Sequence, residues 1–156
     1  MRVTSLDHLV LTVADIAATV AFYTGVLGMT AEQFHPADGS TRTALKYGAQ
    51  KINLHPQGGE FDPKAATPLP GSADLCFLTD TPLDDWQAHL LAQGVTIEDG
   101  PIRRTGATGP ILSIYLRDPD GNLIEVSTPP AARSFAMSKP RLFSTRSLIN
   151  SPASSN

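Results

Sequence analysis

A repeat at a spacing of 66 residues constrains the fold of this chain more than any other feature of its sequence. A strand-like apolar segment, a helix-capping residue and a helix-ending glycine each occur twice at that spacing. The three pairs are His8 and Asp74, Asp15 and Thr81, and Gly28 and Gly94. Since a strand start, a helix start and a helix end recur together, the sequence predicts a duplicated βαβββ unit. Each unit alone exposes one face of a sheet, so the two units must pack together.

Strand and helix patterns follow the same order in both halves of the chain. Alternating or continuous apolar residues predict strands at 6–13, 30–35, 42–47, 51–55, 73–78, 95–98, 111–117 and 123–127. Helices are predicted between each capping residue and its glycine. We therefore expect an α+β fold in which two βαβββ modules form curled mixed sheets around a shared groove.

The predicted boundaries place one domain at 1–129 and a tail after it. Module one covers 4–57, a Pro- and Gly-rich linker covers 58–72, and module two covers 73–128. The remaining stretch, 130–156, is rich in Ser, Arg and Pro and lacks a sustained period. We expect that tail to be disordered.

Composition argues against several classes of function. The net charge of −3 and the lack of a basic stripe argue against nucleic-acid binding. No apolar run approaches the roughly 18 residues of a membrane span, and the first residues do not resemble a signal peptide. The single Cys76 excludes an internal disulfide framework and a thiolate-rich zinc site. We expect a cytoplasmic protein with no nucleic-acid or membrane partner.

Four polar residues stand inside otherwise apolar strands at corresponding places of the two halves. The tripeptide around Asn53 matches the tripeptide around Glu125 at a spacing of 72, just as His8 matches Asp74. If these four side chains converge, they offer an imidazole, an amide and two carboxylates, a plausible shell for Mn²⁺, Fe²⁺ or Mg²⁺. The alternatives are a hydrogen-bonded rim histidine, an aspartate that binds backbone amides, and a glutamate on a solvated face.

Three further residues are candidates for a site. His55 follows Asn53 by two positions, so it shares a strand face with it and is either a fourth metal ligand, an acid–base group or a water-facing rim residue. Arg104 precedes a Gly-rich loop and either holds a substrate carboxylate or phosphate or belongs to a solvated hairpin. Tyr115 either turns its hydroxyl to the groove or is simply packed.

Two segments also carry a family resemblance. The stretches DHLVLTVADIAATVAFYTGVLGM and YLRDPDGNLIEVS resemble the two signature segments of the vicinal oxygen chelate superfamily. That superfamily includes glyoxalase I, extradiol dioxygenases, fosfomycin-modifying enzymes and bleomycin-resistance proteins, and the resemblance covers about residues 4–128. The stretches KINLHPQG, PGSADLCFLTDTPL and RTGATGPILSIYLRDPDGNLIEVS are similar to the glyoxalase domain-containing protein five group.

The resemblance implies a divalent metal ion (Fe, Mn, Zn, Ni or Mg) bound by residues of the first and last strands of each unit. Carried to this chain, the ligands are His8, Asp74 and Glu125, with Asn53 or His55 as the fourth. Glyoxalase I has Glu in place of Asn53 and often His in place of Asp74, and an amide cannot ionise to act as a base. Extradiol dioxygenases use two histidines and one carboxylate, whereas this set has one histidine and two carboxylates.

The resemblance further implies a small oxygen-rich substrate that chelates the metal ion. We expect a glyoxalase-type lyase or isomerase, with Glu125 and His55 catalytic and with Asn53, Arg104 and Tyr115 in contact with substrate. The alternatives are an extradiol-type dioxygenase and a non-catalytic binding protein of the bleomycin-resistance type. Family members pair their modules within one chain or across a dimer interface, and we expect a homodimer.

Overall fold

The computed structural model describes residues 1–129. The predicted disordered tail, 130–156, lies outside these described residues. The first half contains β1 (His8–Val13), α1 (Ile16–Gly25), β2 (Thr30–Phe34), β3 (Arg42–Tyr47) and β4 (Gln50–Pro56). The second half contains β5 (Asp74–Leu78), α2 (Leu83–Ala92), β6 (Asp99–Thr105), β7 (Pro110–Arg117) and β8 (Leu123–Thr128). No helix within 1–129 is long and apolar enough to cross a membrane.

The two halves form two four-stranded sheets with the same topology. The strand orders are β1-β4-β3-β2 in module one and β5-β8-β7-β6 in module two. In each sheet the first strand pairs in parallel with the last strand, and the other pairs are antiparallel. These observations confirm the predicted α+β fold of two βαβββ modules. Strands β1 and β5 lie at sheet edges.

The register of the sheets confirms the predicted equivalence between the halves. In module one the residue beside Asn53 is two positions after His8, and in module two the residue beside Glu125 is two positions after Asp74. The corresponding pairs are His8 with Lys51, Val10 with Asn53, Asp74 with Leu123, and Cys76 with Glu125. The four polar residues therefore occupy matching positions on their two sheets.

The helix starts differ between the modules. Asp15 caps α1 as predicted, because its carboxylate accepts a hydrogen bond from the Ala18 amide at 3.0 Å. The prediction that Thr81 caps α2 is wrong, since Pro82 is the N-cap and makes no side-chain hydrogen bond. The Thr79 hydroxyl instead accepts from the Thr81 amide at 3.1 Å, so this hydroxyl organises the entry to the helix.

The predicted strand at 95–98 is also wrong, because the strand lies at Asp99–Thr105. Val95 and Ile97 pack against the core instead. A register shift between Asp99 and Ile102 accompanies the change, and Gly100 has φ of +104° at a place where a Cβ would overlap the backbone of β7. Arg104 lies near the end of β6, just before the Gly-rich loop.

One hydrophobic core serves both modules. It contains side chains from the inner faces of the two sheets and from both helices. Its fully buried members include Val13, Tyr23, Leu45, Ile52, Leu90, Ile114, Leu116 and Ile124.

A buried carboxylate joins the modules at the turn before β8. Asp118 is 5% exposed, and its Oδ2 accepts from the Tyr23 hydroxyl at 3.0 Å and from Asn122 Nδ2 at 2.7 Å. Its Oδ1 accepts from the amides of Asp120 and Asn122 at 3.0 and 2.8 Å. Burial, and then the Asp118 charge, raise the pKa of Tyr23, so this phenol stays protonated and donates.

Two other residues of this turn extend the connection to both first strands. The Ala14 amide, just after β1, donates to Asp120 Oδ1 at 3.1 Å. The Ala73 amide, just before β5, donates to Asn122 Oδ1 at 2.9 Å. We call the set Asp118, Asp120, Asn122 and Tyr23 the inter-module clamp.

Replacing the central carboxylate should destabilise the whole fold. Asp118→Ala removes one acceptor group and leaves four buried or half-buried donors without it, so we expect a loss of about 3 kcal/mol or more in the free energy of unfolding. Urea unfolding followed by circular dichroism measures this loss. The control is Asp62→Ala, because the Asp62 side chain is 85% exposed. This variant should leave the urea midpoint of unfolding unchanged. Equal midpoints for the two variants would contradict the role of the clamp.

Candidate metal and substrate site

Each sheet has one face in the core and one face that carries the predicted site residues. On the sheet of module two, Tyr115 on β7 lies directly across from Glu125 on β8, and Cys76 on β5 lies on the other side of Glu125. Arg104 reaches the same face from β6. Module two thus brings three predicted residues, Glu125, Tyr115 and Arg104, together with Cys76.

An arginine holds the tyrosine of this face. Arg104 Nε donates to the Tyr115 hydroxyl oxygen at 2.9 Å, and an Arg104 terminal nitrogen lies 3.5 Å from a carboxylate oxygen of Asp99. Partial burial, and then the neighbouring Glu125 carboxylate, raise the pKa of Tyr115. The phenol keeps its proton at neutral pH. Since its oxygen already accepts from Arg104, that proton can be donated to Glu125 or to a bound molecule.

Glu125 lies in a row of small hydroxyl and thiol groups. Its Oε1 accepts from Ser127 Oγ at 3.2 Å, and Ser127 Oγ lies 2.9 Å from Ser113 Oγ. Cys76 is exposed, and its Sγ lies 3.4 Å from Ser127 Oγ. Loss of hydration, and then the nearby carboxylates, raise the pKa of the Cys76 thiol, so it stays largely protonated at neutral pH.

A concave space of about 430 Å³ opens over this row, within the size range of small-molecule sites. Its lining includes Cys76, Arg104, Ile111, Tyr115 and Glu125. Asp74 is exposed at the start of β5, two positions before Cys76 and therefore on the same face. We call the residues that line this space, together with Asp74, the carboxylate half-site.

On module one, His8 is held by the residue that precedes it. His8 Nδ1 lies 2.7 Å from Asp7 Oδ1, and the His8 side chain is 45% exposed. The hydrogen bond to His8 lowers the pKa of Asp7. A carboxylate on one ring nitrogen is the usual arrangement for a histidine whose other nitrogen binds a metal ion.

Asn53 and His55 share the outer face of β4 but differ in their surroundings. Asn53 Oδ1 is buried and has no hydrogen-bond partner within the described part of the chain. His55 is only 6% exposed, and the Phe61 ring packs edge-on against it with 5.1 Å between centroids. Burial, and then the Arg42 charge, lower the pKa of His55, so this imidazole is neutral at pH 7. We call His8, Asn53 and His55 the histidine half-site.

The predicted ligands are therefore divided between two half-sites. Among residues 1–129, no group of three His, Cys, Asp or Glu side chains lies close enough to hold one metal ion. The strand register also separates the two histidines. His8 lies beside Lys51 on β4, and His55 is four residues further along that strand, a distance of about 13 Å. His55 lies closer to the linker than to His8.

Sequence reasoning missed several residues that shape these half-sites. Asp7 directly precedes His8, and Ser127 follows Glu125 by two positions on the same strand face, so both had a positional signal. Cys76 faces the carboxylate half-site and is exposed. The linker residue Phe61 gave no signal, because its contact with His55 depends on how the linker folds.

Comparisons with known proteins agree with the fold of two βαβββ modules. The sequence model of the Glyoxalase/Bleomycin resistance protein/Dioxygenase superfamily matches residues 5–126. The chain is 58% identical over 127 residues to virulence protein STM3117 of Salmonella typhimurium, covering 81% of this chain and 85% of that protein. The crystal structure of that protein superposes with a TM-score of 0.77, covering 82% of this chain and 98% of that one.

Two other relatives bear glyoxalase names. The chain is 55% identical over 128 residues to glyoxalase domain-containing protein RDO1 of Mycosarcoma maydis, covering 82% of this chain and 70% of that protein. It is 25% identical to lactoylglutathione lyase of Agrobacterium tumefaciens, with a TM-score of 0.60 and coverage of 81% and 95%. The repeated βαβββ modules and the matched segment of 122 residues lead to one conclusion. The chain belongs to the Glyoxalase/Bleomycin resistance protein/Dioxygenase superfamily.

Proposed function

We propose that this protein is a glyoxalase-like, metal-dependent enzyme that acts on a small oxygen-rich molecule, and that two copies of the chain form each site. The observation that carries the proposal is the pairing of His8 Nδ1 with Asp7 at 2.7 Å, which orients the remaining ring nitrogen as a ligand. Family membership supports the reaction class.

The side chains present fit a hard divalent cation. His8 supplies one imidazole nitrogen, and Asp74 and Glu125 supply carboxylate oxygens, the donor types that Mn²⁺, Fe²⁺ and Mg²⁺ prefer. The buried Asn53 Oδ1 is an acceptor without a partner in 1–129, and this suits a position beside a cation or a donor group. We assign His8, Asp74 and Glu125 as the ligands.

A homodimer explains how the two half-sites meet. His8 does not join the carboxylates within one chain, and the strands that bear His8 and Asp74 are both sheet edges. These edge strands also expose apolar side chains, since Val10 is 46% exposed and Leu78 is 68% exposed. Pairing of β1 with the partner's β5 region would cover both and complete two equivalent sites.

The chemistry follows from what each residue can do. When bound, the metal ion would stabilise negative charge that develops on a substrate oxygen. Glu125 acts as the proton acceptor, with Ser127 holding one of its oxygens. Tyr115 donates its phenolic proton to a substrate oxygen, because Arg104 occupies the phenolic lone pair and keeps the hydroxyl oriented.

Asn53 separates this site from that of glyoxalase I. An amide can orient a substrate hydroxyl or carbonyl, but it cannot take up a proton at neutral pH. Glu125 is then the carboxylate that we assign as the base. His55, neutral and distant along β4 from His8, is assigned as an acid–base or substrate-contacting residue rather than a ligand.

Mixing two inactive variants tests the shared site. We expect His8→Ala and Glu125→Ala each to lose bound Mn²⁺, and a refolded equimolar mixture to recover about one quarter of the wild-type metal content. Half of the mixed dimers are then heterodimers, and each of these has one intact site. Metal content of untagged protein is measured by mass spectrometry after dialysis.

The control is a mixture of His8→Ala with the double variant His8→Ala/Glu125→Ala, which cannot form an intact site across two copies. No recovery in the first mixture, with dimers present, would contradict a site made by two chains. A wild type that binds no metal yet retains small molecules would favour a binding protein of the bleomycin-resistance type.

Glyoxalase I activity should be slight. Because Asn53 cannot act as the second base, we expect lactoylglutathione formation from methylglyoxal and glutathione to be at least about 100-fold slower than with the A. tumefaciens lyase. The ultraviolet absorbance of the thioester follows the reaction, and Asn53→Glu should raise the rate. Comparable turnover by the two wild-type proteins would contradict the importance of Asn53.

The buried imidazole should make stability depend on pH in a defined direction. The folded-state pKa of His55 lies below the unfolded value of about 6.5, so the unfolded chain binds more protons as the pH falls. The free energy of unfolding should therefore fall as the pH drops below about 6.5. His55→Gln should flatten this slope, as measured by urea unfolding with a chelator present. Identical slopes in both proteins would show that His55 is not held neutral by burial.

A further inference from the structure

The linker between the modules makes defined contacts with module one and with the inter-module clamp. The Gly59 amide donates to the Pro56 carbonyl oxygen at 3.0 Å, and the Gly58 amide donates to Glu60 Oε1 at 2.9 Å. The Phe61 ring lies between the His55 ring and the Arg42 guanidinium, whose central carbon is 4.1 Å from the Phe61 centroid. These contacts fold the beginning of the linker over the outer face of β4.

The end of the linker packs against the inter-module clamp. A Cβ at Gly71 would lie 2.6 Å from the Asp120 carbonyl oxygen, and φ is +75° there, so glycine is required for this approach. Ser72 Oγ donates to the Leu69 carbonyl oxygen at 2.8 Å and closes a local turn. The linker is thus anchored at both ends.

Between the anchored linker and module one lies a cavity of about 420 Å³. Its lining is divided almost evenly between apolar and polar residues. The apolar members are Val10, Leu11, Pro63, Ala65, Pro68, Leu69 and Ala73, and the polar members are Thr12, His55, Lys64, Thr67, Ser72 and Asn122. A space of this size, lined by both apolar and polar side chains, suits one small organic molecule.

Lys64 is the cation that faces this cavity. Its Nζ lies 3.9 Å from Glu60 and 3.8 Å from Asp62, longer than hydrogen bonds, so its N–H groups can still be donated to a ligand. The nearby Arg42 is already engaged, because its terminal nitrogen lies 2.6 Å from Asp38 Oδ2. Asn122 is engaged too, since both ends of its amide serve the clamp.

We propose that this cavity is a binding site for a small apolar carboxylate, whose acidic group Lys64 binds and whose body lies between the linker and β1. The linker residues 63–69 then determine which molecules enter. The cavity shares His55 with the histidine half-site, but none of the proposed metal ligands lines it, and it requires no metal ion. Val10 lies two positions from His8, so a longer molecule in the cavity would extend toward His8.

Benzoate and its neutral counterpart benzamide are suitable probes. In an NMR titration of the ¹⁵N-labelled full chain with a chelator present, benzoate should cause saturable shifts at the amides of 10–12, 55, 64–67 and 69. Lys64→Gln should weaken benzoate binding about fivefold, the scale of one partly exposed ion pair, and leave benzamide binding unchanged. Ala65→Trp should abolish binding of both probes, because the indole fills the cavity.

Lys46→Gln is the matched control. Like Lys64, Lys46 lies near a carboxylate, 3.5 Å from Glu32, but it is on β3 of module one and does not line the cavity. It should bind benzoate like the wild type. Shifts that map elsewhere, absence of saturable binding, or equal benzoate affinity of Lys64→Gln and wild type would each overturn the proposal. Because the chelator removes metal ions, this outcome is independent of the proposed metal chemistry.

Discussion

The carboxylate of Asp118 is buried where the two modules meet, and a buried charge is tolerated only when hydrogen bonds replace its hydration. Four donors surround it, one from helix α1 of module one and three from its own turn. Because the Tyr23 hydroxyl is itself fully buried, neither group can turn to water if the other is lost. The turn and the helix are therefore fixed relative to each other.

The same turn positions the strands that bear the candidate ligands. Asp120 binds the amide that follows β1, and Asn122 binds the amide that precedes β5. His8 and Asp74 begin those strands, so their half-sites are oriented by a single turn. The linker packs on this turn through Gly71 and roofs the cavity beside His55. The turn DPDGN, residues 118–122, thus positions the strands of the site but contributes no predicted ligand.

Much of the fold was predictable because the sequence contains the same unit twice. Strand β3 has the predicted bounds, and Asn53 and Glu125 occupy matching positions in their sheets, since two copies of one pattern reinforce each other. The errors fall where the copies differ. In module two, a proline replaces the expected cap of α2, and the register shift near Gly100 delays β6.

The candidate site was predictable residue by residue but not in its assembly. Polar residues in apolar strands are visible in a sequence, and so is the face that each occupies. The separation of His8 from Asp74 and Glu125 within 1–129 depends on how the two sheets pack, and no local pattern encodes that packing. The burial of His55 beneath Phe61 likewise depends on the fold of the linker.

The central claim is that one metal ion lies between two copies of the chain. Its most direct test is an anomalous-scattering map from crystals of the untagged protein grown with Mn²⁺. The predicted result is a peak in contact with His8 of one protomer and with Asp74 and Glu125 of its partner. A peak bound by ligands of one protomer alone, or no peak at these residues, would contradict the claim.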